Sequence, residues 1–512
     1  MRKLILILAA LSAAAVVAVG CGDEDQAASG GAELAPAGAV MYAEATLKPE
    51  GDQKKALDAI LAKFPGGGEA GDKLKELIEK GLRDSDAPIT FKDDIEPWLG
   101  DSAAFFVSGM DGSGDFKSAA GLIATEDEDQ AQAALEKSAE GEITRKTYKD
   151  VEYLMDEAED TNAGMVHKGF VVLGTEAGVK AVIDASEGGS KLSDDEGYKN
   201  AIDGAAEDRL GLFYMDTPKL LEALEQTGGM ALPDSFKKSF QEPLVATADV
   251  DEDGVVFEAT VSEELAKTFG FLGQASDLMN ELPADSWLAI AQTDSGSLVD
   301  YYVDLFGAVA GGRDTVERQF RAATGLDLQK DLIDWMGDFG VFVRGSTVQE
   351  LDGALVIETK DEAASGRLLA ALERIARSQS EAGIEIRPLS APGGGDGFSA
   401  SGAGVPKPVH AFQRDGRVVF AYGDAAAQDA IEADETLGDS ADFSQARDSL
   451  GEYDVSVYVL MQPIFDLVDS TEAASDADWQ EAKPYLEPLS ALVAGLADED
   501  DRVRSAMKLV VE

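Results

Sequence analysis

The sequence carries one succession of motifs twice, and this repetition restricts the chain to two folding units of similar design. A Trp-Leu-Gly-Asp stretch at residues 98–101 recurs as Trp-Met-Gly-Asp at residues 335–338. The tripeptide Glu-Pro-Leu at residues 242–244 recurs at residues 487–489, 245 positions later. The sequence therefore predicts an internal duplication.

The repeated motifs set the expected domain boundaries. We predict repeat 1 over residues 36–261 and repeat 2 over residues 283–512, with a linker helix at residues 262–282 between them. Apolar residues recur at helical spacing in this linker and would share one face: Leu265, Phe269, Leu272, Leu278 and Met279.

Within each repeat, short segments rich in Val, Phe, Leu and Tyr alternate with amphipathic segments of helical period. Only short turns, such as Lys168-Gly169, Asp415-Gly416 and Asp253-Gly254, separate several strand pairs, which favours antiparallel pairing over parallel winding. We therefore predict the α+β class. Each of the two tandem homologous repeats would be a largely antiparallel sheet with helices packed on one face.

Residues 1–20 are typical of a signal peptide. Arg2 and Lys3 precede an apolar run that is shorter than the roughly 20 residues needed to span a bilayer. The run ends in Ala-Val-Gly-Cys, in which Cys21 is the only cysteine of the chain. This ending resembles the lipobox of bacterial lipoproteins, which implies cleavage before Cys21 and a diacylglyceryl group on its thiol. The other interpretation is an ordinary secretory signal that contains a cysteine.

A diacylglyceryl anchor would hold the protein on the extracytoplasmic face of the bacterial cell membrane, because two acyl chains retain a soluble domain that one would release. Residues 21–35 are rich in Ala, Gly and acidic residues, and we predict a flexible tether there. No disulfide is expected, since acylation of Cys21 would leave no thiol.

The charge balance restricts the possible partners. The chain has 43 Lys and Arg residues against 98 Asp and Glu residues, a formal net charge of −55. Nucleic acid is excluded, because phosphate backbones are bound by clustered cations. We interpret the acidic surface as solubilising, with cation buffering or a basic partner as the alternative.

Few residues of the types used in catalysis are present. The two histidines, His167 and His410, do not occupy matching positions of the repeats. Two histidines and a single cysteine, which would be acylated, are too few to form a thiolate or histidine-rich zinc site. Neither a Gly-x-Ser-x-Gly nucleophile turn nor a Gly-x-x-x-x-Gly-Lys-Ser/Thr phosphate loop occurs in the sequence. The sequence therefore assigns no catalytic residue and no organic cofactor.

One segment has the carboxylate spacing of a calcium loop. Asp249, Asp251 and Asp253 alternate before Gly254, but Thr260 stands where the bidentate glutamate of such a loop is expected. The three aspartates are a calcium candidate. The alternative is a β-hairpin with an acidic turn.

Two further hypotheses concern sugars. Trp98 and Trp335 could stack on carbohydrate, or each could fill the same structural position before a glycine turn. Paired carboxylates could hydrolyse glycosides, but 98 acidic residues give no basis for choosing a pair.

Four short motifs of repeat 1 occur in order after the signal peptide: Leu47-Lys48-Pro49, Gln53-Lys54, Lys63-Phe64-Pro65 and Trp98-Leu99-Gly100. Together they resemble an uncharacterised bacterial lipoprotein family, domain of unknown function 3352, over most of residues 36–512. Repeat 2 lacks the Phe-Pro element. The resemblance implies an extracytoplasmic, lipid-anchored protein and transfers no catalytic residues.

These observations predict a lipid-anchored extracytoplasmic protein that serves as a binding or interaction module of the cell envelope, with an unknown envelope protein or ligand as its partner. The alternative is an envelope hydrolase that uses Asp and Glu carboxylates. A periplasmic-type solute-binding protein is disfavoured, because those proteins have parallel sheets.

Overall fold

The computed structural model describes residues 30–67, 75, 78–83, 88–110, 116–138, 142–156, 162–203, 205, 209–226, 237, 240–262, 265, 273–379, 383–389, 396–402, 404–499 and 502–512. The chain divides into two compact units. Unit 1 contains the described residues up to 226 together with 240–261, and unit 2 contains residue 237 and the described residues from 262 onward.

The described part of unit 1 contains strands and helices in nearly regular alternation. The strands are β1 (Met41–Thr46), β2 (Leu99–Met110), β3 (Phe116–Thr125), β4 (Ile143–Tyr148), β5 (Val151–Asp156), β6 (Asn162–His167), β7 (Phe170–Thr175), β8 (Gly211–Met215), β9 (Leu244–Val250) and β10 (Gly254–Ser262). The helices are α1 (Gly51–Leu61), α2 (Glu128–Lys137), α3 (Glu176–Ser186), α4 (Glu196–Ile202) and α5 (Thr217–Gln226), with a π-helical turn at Phe91–Ile95 and a 3-10 turn at Leu192–Asp194.

The strands of unit 1 form one antiparallel sheet in the order β4-β5-β6-β7-β3-β2-β1-β8-β9-β10. Neighbours in this order run in opposite directions at every step, so the predicted antiparallel α+β architecture is confirmed.

Unit 2 has its own strands and helices. The strands are β11 (Leu288–Gln292), β12 (Met336–Arg344), β13 (Asp352–Thr359), β14 (Ile384–Pro388), β15 (Asp396–Gly402), β16 (Val405–Arg414), β17 (Arg417–Tyr422), β18 (Asp454–Leu460), β19 (Leu489–Glu499) and β20 (Arg502–Val511). The helices are α6 (Ser295–Ala310), α7 (Arg313–Thr324), α8 (Glu362–Gln379), α9 (Asp424–Asp429), α10 (Ala441–Ser449), α11 (Met461–Asp469) and α12 (Ala477–Leu486). Shorter turns are π-helical at Gln329–Ile333 and 3-10 at Asp277–Glu281, Leu437–Asp439 and Glu472–Ser475.

The sheet of unit 2 is also antiparallel, in the order β14-β15-β16-β17-β13-β12-β11-β18-β19-β20. This order is that of unit 1 with ten added to each strand number.

Tight turns fix the register of the hairpins in both units. Lys168 and Gly169, between β6 and β7, have φ of 50° and 78°. Asp415 and Gly416, between β16 and β17, have φ of 49° and 76°. Positive φ at both central residues is the type I′ geometry that matches the twist of paired strands. The short turns predicted from these dipeptides therefore connect antiparallel neighbours.

The prediction that helices cover one face of the sheet is wrong for unit 2. Val356 and Val419 belong to a core that includes Ala426 of α9 and Phe443 of α10. The next residue of β13 and the preceding residue of β17 belong to a separate core with α8. Successive side chains of a strand point to opposite faces, so helices cover both. The apolar runs of these strands are continuous because both faces are buried.

Within the linker helix predicted at residues 262–282, Leu265 is helical, but residues 273–282 form no α-helix. Ala275 forms an isolated antiparallel bridge with Gln292, so the chain is extended there. The Ser276 side chain then accepts a hydrogen bond from Leu278 N, and the 3-10 turn begins. Leu278 and Met279 are both buried, so their apolar character reflects packing in unit 2. Phe269 and Leu272 lie outside the described residues.

We expect Gly178→Ala to destabilise unit 1 by about 1–2 kcal/mol, because a Cβ at this position of α3 would lie 2.1 Å from the Ala119 carbonyl oxygen of β3. Urea unfolding of the full chain measures the effect. Gly38→Ala is the matched control, since a Cβ there meets nothing within 4 Å. Equal midpoints for the two variants would contradict the close packing of α3 on β3.

Candidate functional site

Cys21, the predicted lipidation site, lies outside the described residues, as does the whole of the predicted signal peptide. The described part of the chain that is nearest to Cys21 in sequence begins at Gly30. The candidate site is therefore the junction at which the predicted anchor segment joins unit 1.

At this junction the last residues of the predicted tether are folded, not flexible. Ala35 N donates to Gly31 O at 2.9 Å, which closes a turn. Ala32, Leu34 and Ala35 are buried in the core of unit 1. The prediction of a tether up to residue 35 is corrected accordingly. Small side chains do not prevent packing here, because they let the backbone approach the core closely.

Contacts with the segment before α4 hold the junction in place. Pro36 forms an isolated bridge with Lys191, and Leu192 N donates to Ala35 O at 2.9 Å. The Lys191 ammonium group donates to a carboxylate oxygen of Glu33 at 2.6 Å. The hydrogen bond from Lys191 is the largest cause that lowers the pKa of Glu33. The charged pair thus favours the folded turn.

The folded junction limits the reach of any anchor on Cys21. Nine residue steps separate Cys21 from Gly30. At about 3.5 Å per residue, the fully extended chain spans roughly 30 Å. A lipid on Cys21 would therefore hold the Gly30 end of unit 1 within about that distance of the bilayer surface.

The three aspartates of the calcium candidate lie at the turn between β9 and β10. Asp249 Oδ1 accepts a hydrogen bond from Gln53 Nε2 of α1 at 2.9 Å. Asp251 Oδ1 accepts from the backbone N–H groups of Asp253 and Gly254, at 3.0 Å and 2.9 Å. This is a carboxylate-stabilised turn, a second role that suits the same Asp-x-Asp-Gly spacing.

Over the described residues, all three of these aspartates included, no group of three or more His, Cys, Asp or Glu side chains could hold a metal ion. The structure thus brings the three aspartates to one turn but not into a ligand cluster. Calcium binding stays a prediction from the sequence alone.

His167 contacts a serine but lacks the geometry of a catalytic base. Its Nε2 is 2.9 Å from Ser186 Oγ and 4.0 Å from a carboxylate oxygen of Glu187. In a Ser-His-acid triad the acid binds the other ring nitrogen. Ser186 Oγ also donates to Ile183 O at 3.1 Å, so its proton has a backbone acceptor. Burial, and then the charge of Lys168, lower the pKa of His167.

His410 is buried in β16, and its Nε2 lies 3.0 Å from Asp424 Oδ1 at the start of α9. Its Nδ1 is buried without a hydrogen-bond partner in the described part of the chain. The two histidines lie on corresponding strands, β6 and β16, but at different positions, because His167 pairs with Phe170 at the start of β7 and His410 pairs with Ala421 of β17. The structure assigns neither of them a nucleophile that it activates.

The two tryptophans are structural. Trp98 and Trp335 are 3% and 1% exposed. Each indole N–H donates to a backbone carbonyl four residues earlier, that of Asp94 at 2.5 Å and that of Asp331 at 3.0 Å. Each ring therefore closes a π-helical turn, and a buried ring offers no face for a sugar. The structural interpretation is the better one.

The carboxyl groups do not favour the hydrolase alternative. Among the described residues, every Asp or Glu with a resolved pKa shift has a lowered pKa, whereas a general acid for glycoside hydrolysis needs a raised one. Glu176 is the extreme case. The Tyr153 hydroxyl at 2.6 Å and, next, the Lys180 ammonium at 2.9 Å lower its pKa to about 2.

The sequence analysis missed an exposed apolar surface on the hairpin formed by α6 and α7. Phe306 is 64% exposed, the largest fraction of any large apolar side chain in the described residues. The ring of Tyr302, one turn earlier, stacks near it with centroids 6.3 Å apart. The available signal was an uncharged stretch, Leu-Phe-Gly-Ala-Val-Ala-Gly-Gly, at residues 305–312. We call these eight residues the apolar tip.

Within the described ranges, the structure contains no helix that combines the length and the apolar character required to cross a membrane. A family model described as protein of unknown function (DUF3352) matches residues 3–509. No curated protein matches the chain.

Two solved structures are similar to part of the chain, crystal forms IV and I of TP0453. Form IV is 8% identical, covers 47% of this chain and 86% of its own, and has a TM-score of 0.25. Form I is 8% identical, covers 45% and 77%, and has a TM-score of 0.23. At these scores neither likeness bears on the fold or the function.

We expect Glu176→Gln to lower stability by about 1 kcal/mol at neutral pH, because it removes charge-assisted hydrogen bonds. The folded-state pKa of about 2 lies below the ordinary value of 4.5. The carboxylate therefore stabilises the fold above pH 4.5, and this contribution is lost as the pH falls towards 2. Urea unfolding of both proteins across this range should show the difference shrinking.

The matched control is Glu385→Gln, which removes an exposed ion pair with Arg387 on β14 and should leave stability nearly unchanged. A Glu176→Gln difference that does not depend on pH between 2 and 7 would contradict the assigned pKa.

Proposed function

The chain belongs to the DUF3352 family of proteins of unknown function, and we propose that this member is a lipid-anchored binding module on the extracytoplasmic face of the bacterial cell membrane. The observation that carries the proposal is the N-terminal sequence. Arg2 and Lys3, a 16-residue apolar run, and a small-residue segment ending at Cys21 succeed one another without interruption.

The physical basis of anchoring is the pair of acyl chains. Each buried methylene contributes about 0.8 kcal/mol, so two chains retain a soluble domain at a membrane. The anchor would need this strength, because a net charge of −55 opposes approach to anionic headgroups. The folded junction at Gly30–Pro36 supports the proposal, since it gives the anchor a fixed point of attachment on unit 1.

We further propose that units 1 and 2 are tandem copies of one ancestral unit. The common strand order supports this, and so does the common contact of Trp98 and Trp335. A third match lies at the start of each unit. Leu192 N donates to Ala35 O, and Leu437 N donates to Leu282 O, at 2.9 Å and 2.7 Å. Each pair flanks a bridge formed by Pro36 or Pro283.

A binding role fits the described side chains better than a hydrolytic one. His167 and His410 are each engaged with a partner that does not form a triad, and the resolved carboxyl pKa shifts are all downward. The partner of the module would be an envelope protein or ligand of a class that is not strongly anionic, because the surface is itself acidic.

Mass spectrometry of protein purified from its native membranes tests the anchor. We expect an N-terminal peptide that begins at Cys21 and carries a diacylglyceryl group. The Cys21→Ala variant should be absent from the membrane fraction or should keep its signal peptide. The Ser29→Ala variant keeps the thiol and should fractionate as the wild type does. An unmodified Cys21 in native material, or an uncleaved leader, would refute the proposed anchor.

A further inference from the structure

We infer that the apolar tip, residues 305–312 of unit 2, inserts into the interfacial layer of a lipid bilayer. This gives the proposed anchored protein a second membrane contact, and the inference rests on the proposed function only for placing the protein at a membrane.

The apolar tip contains no charged side chain in a chain in which 28% of residues are charged. Leu305 and Phe306 supply its large apolar groups, and the remaining residues are Gly, Ala and Val. Phe306 is 64% exposed and Tyr302 is 39% exposed, so an aromatic pair faces outward on α6. A helix packed against a core exposes polar side chains on its outer face. An exposed aromatic pair there indicates an interaction surface.

At the base of the tip, one arginine binds three carboxylates of the hairpin. Arg313 follows the tip directly and contacts Asp304, which precedes it, at 2.7 Å. The same guanidinium contacts Asp300 at 2.6 Å and Glu317 at 3.2 Å. The hydrogen bond to Asp300 is the largest cause that raises the pKa of Arg313. The two charges that flank the tip in sequence, Asp304 and Arg313, thus bind each other, and the four side chains together keep a net charge of −2.

The backbone of the tip is compact enough to enter an interface. The N–H of Gly312 donates to Gly307 O at 2.6 Å and satisfies one carbonyl at the end of α6. Gly311 and Gly312 have φ of 94° and 102°, which a side chain would strain. A Cβ on Gly307 would lie 2.9 Å from Arg313 N, so only glycine allows the two helices to meet this closely.

The spacing of the two aromatic residues would place their side chains at different depths in a bilayer. Phe306 follows Tyr302 by four residues, which is about 6 Å along a helix. With the tip leading, Phe306 would enter the acyl boundary while the Tyr302 hydroxyl stays at headgroup depth.

A bilayer explains the tip better than a protein partner does. The residues of a protein interface combine apolar anchors with side chains that form hydrogen bonds at the rim. The side chains of residues 305–312 have no hydrogen-bonding groups, and the charged residues that flank them directly, Asp304 and Arg313, bind each other. Hydrocarbon requires no such groups. We therefore commit to lipid as the occupant.

Flotation with vesicles tests this inference without any acyl anchor. The protein is the mature polypeptide from residue 21 carrying Cys21→Ser, and the probe is zwitterionic phosphatidylcholine vesicles. We expect concentration-dependent binding that Phe306→Ser weakens about tenfold, because one exposed aromatic side chain is lost from the bilayer. Phe116→Ser is the matched control. Phe116 is 48% exposed in unit 1, and its loss should change binding less than twofold.

A second readout locates the contact. With Cys21 replaced the chain has no cysteine, so Phe306→Cys carries the only thiol for an environment-sensitive fluorophore. Vesicles should shift its emission to the blue, and a label at Phe116→Cys should not shift. Anionic phosphatidylglycerol in the vesicles should weaken binding at low salt, and added salt should restore it, since the protein is acidic.

Absence of binding by the unacylated protein, or equal binding by Phe306→Ser and the wild type, would overturn the inference and leave the tip as a protein-interaction surface. These outcomes do not depend on whether native Cys21 is acylated, which mass spectrometry decides separately. Near-ultraviolet circular dichroism of the variants confirms that each is folded.

Discussion

Burial of the central strands on both faces is the constraint on which the rest of each unit depends. In β13 and β17, adjacent residues such as Val356 and Ile357, or Val419 and Val418, belong to different cores. In unit 1 the adjacent residues Leu122 and Ile123 of β3 are likewise both buried. A sheet of this kind needs helices on each side, and the connections between strands supply them. Binding surfaces are then left to the ends of helices and to loops, where the apolar tip and the N-terminal junction lie.

The sequence predicted the antiparallel architecture well because it rests on local signals. Turn dipeptides such as Lys168-Gly169 have one favoured geometry, and that geometry joins neighbouring strands. The position of Trp335 was also foreseeable, since a bulky apolar residue before a glycine turn is most stable when it is buried in the core. Helix placement was not foreseeable in this way. Continuous apolar runs indicate strands that are buried on both faces, whereas short turns indicate only that the strands they join are antiparallel.

The errors at the two repeat boundaries have one physical cause. Ala32 and Ala35 are small and lie in a segment with acidic and glycine neighbours, so composition suggested a flexible tether. Packing is decided by the shape of the surface that receives a segment, and the core of unit 1 accepts both side chains. Leu278 and Met279 similarly occupy the core of unit 2 from a 3-10 turn. The short spacing between apolar residues such as Leu278 and Met279 does not distinguish a 3-10 turn from an α-helix.

Part of the acidic excess has a structural role. Asp127 and Asp195 accept hydrogen bonds from backbone N–H groups at the starts of α2 and α4, at 3.0 Å and 2.9 Å, and Asp476 does so at the start of α12. Carboxylates at these positions satisfy unpaired donors and complement the helix dipole.

The excess of acidic residues still gives the protein a surface that anionic lipids repel. Direct contact of a protein of this charge with lipid would therefore depend on groups that enter the hydrocarbon region. Acyl chains would act at the N-terminal end of unit 1, and the aromatic pair of α6 would act on unit 2. Repulsion of the acidic surface by the headgroups then opposes any other face lying against the bilayer. The negative charge, which opposes contact with anionic membranes, would in this way restrict which surfaces of the protein touch a bilayer.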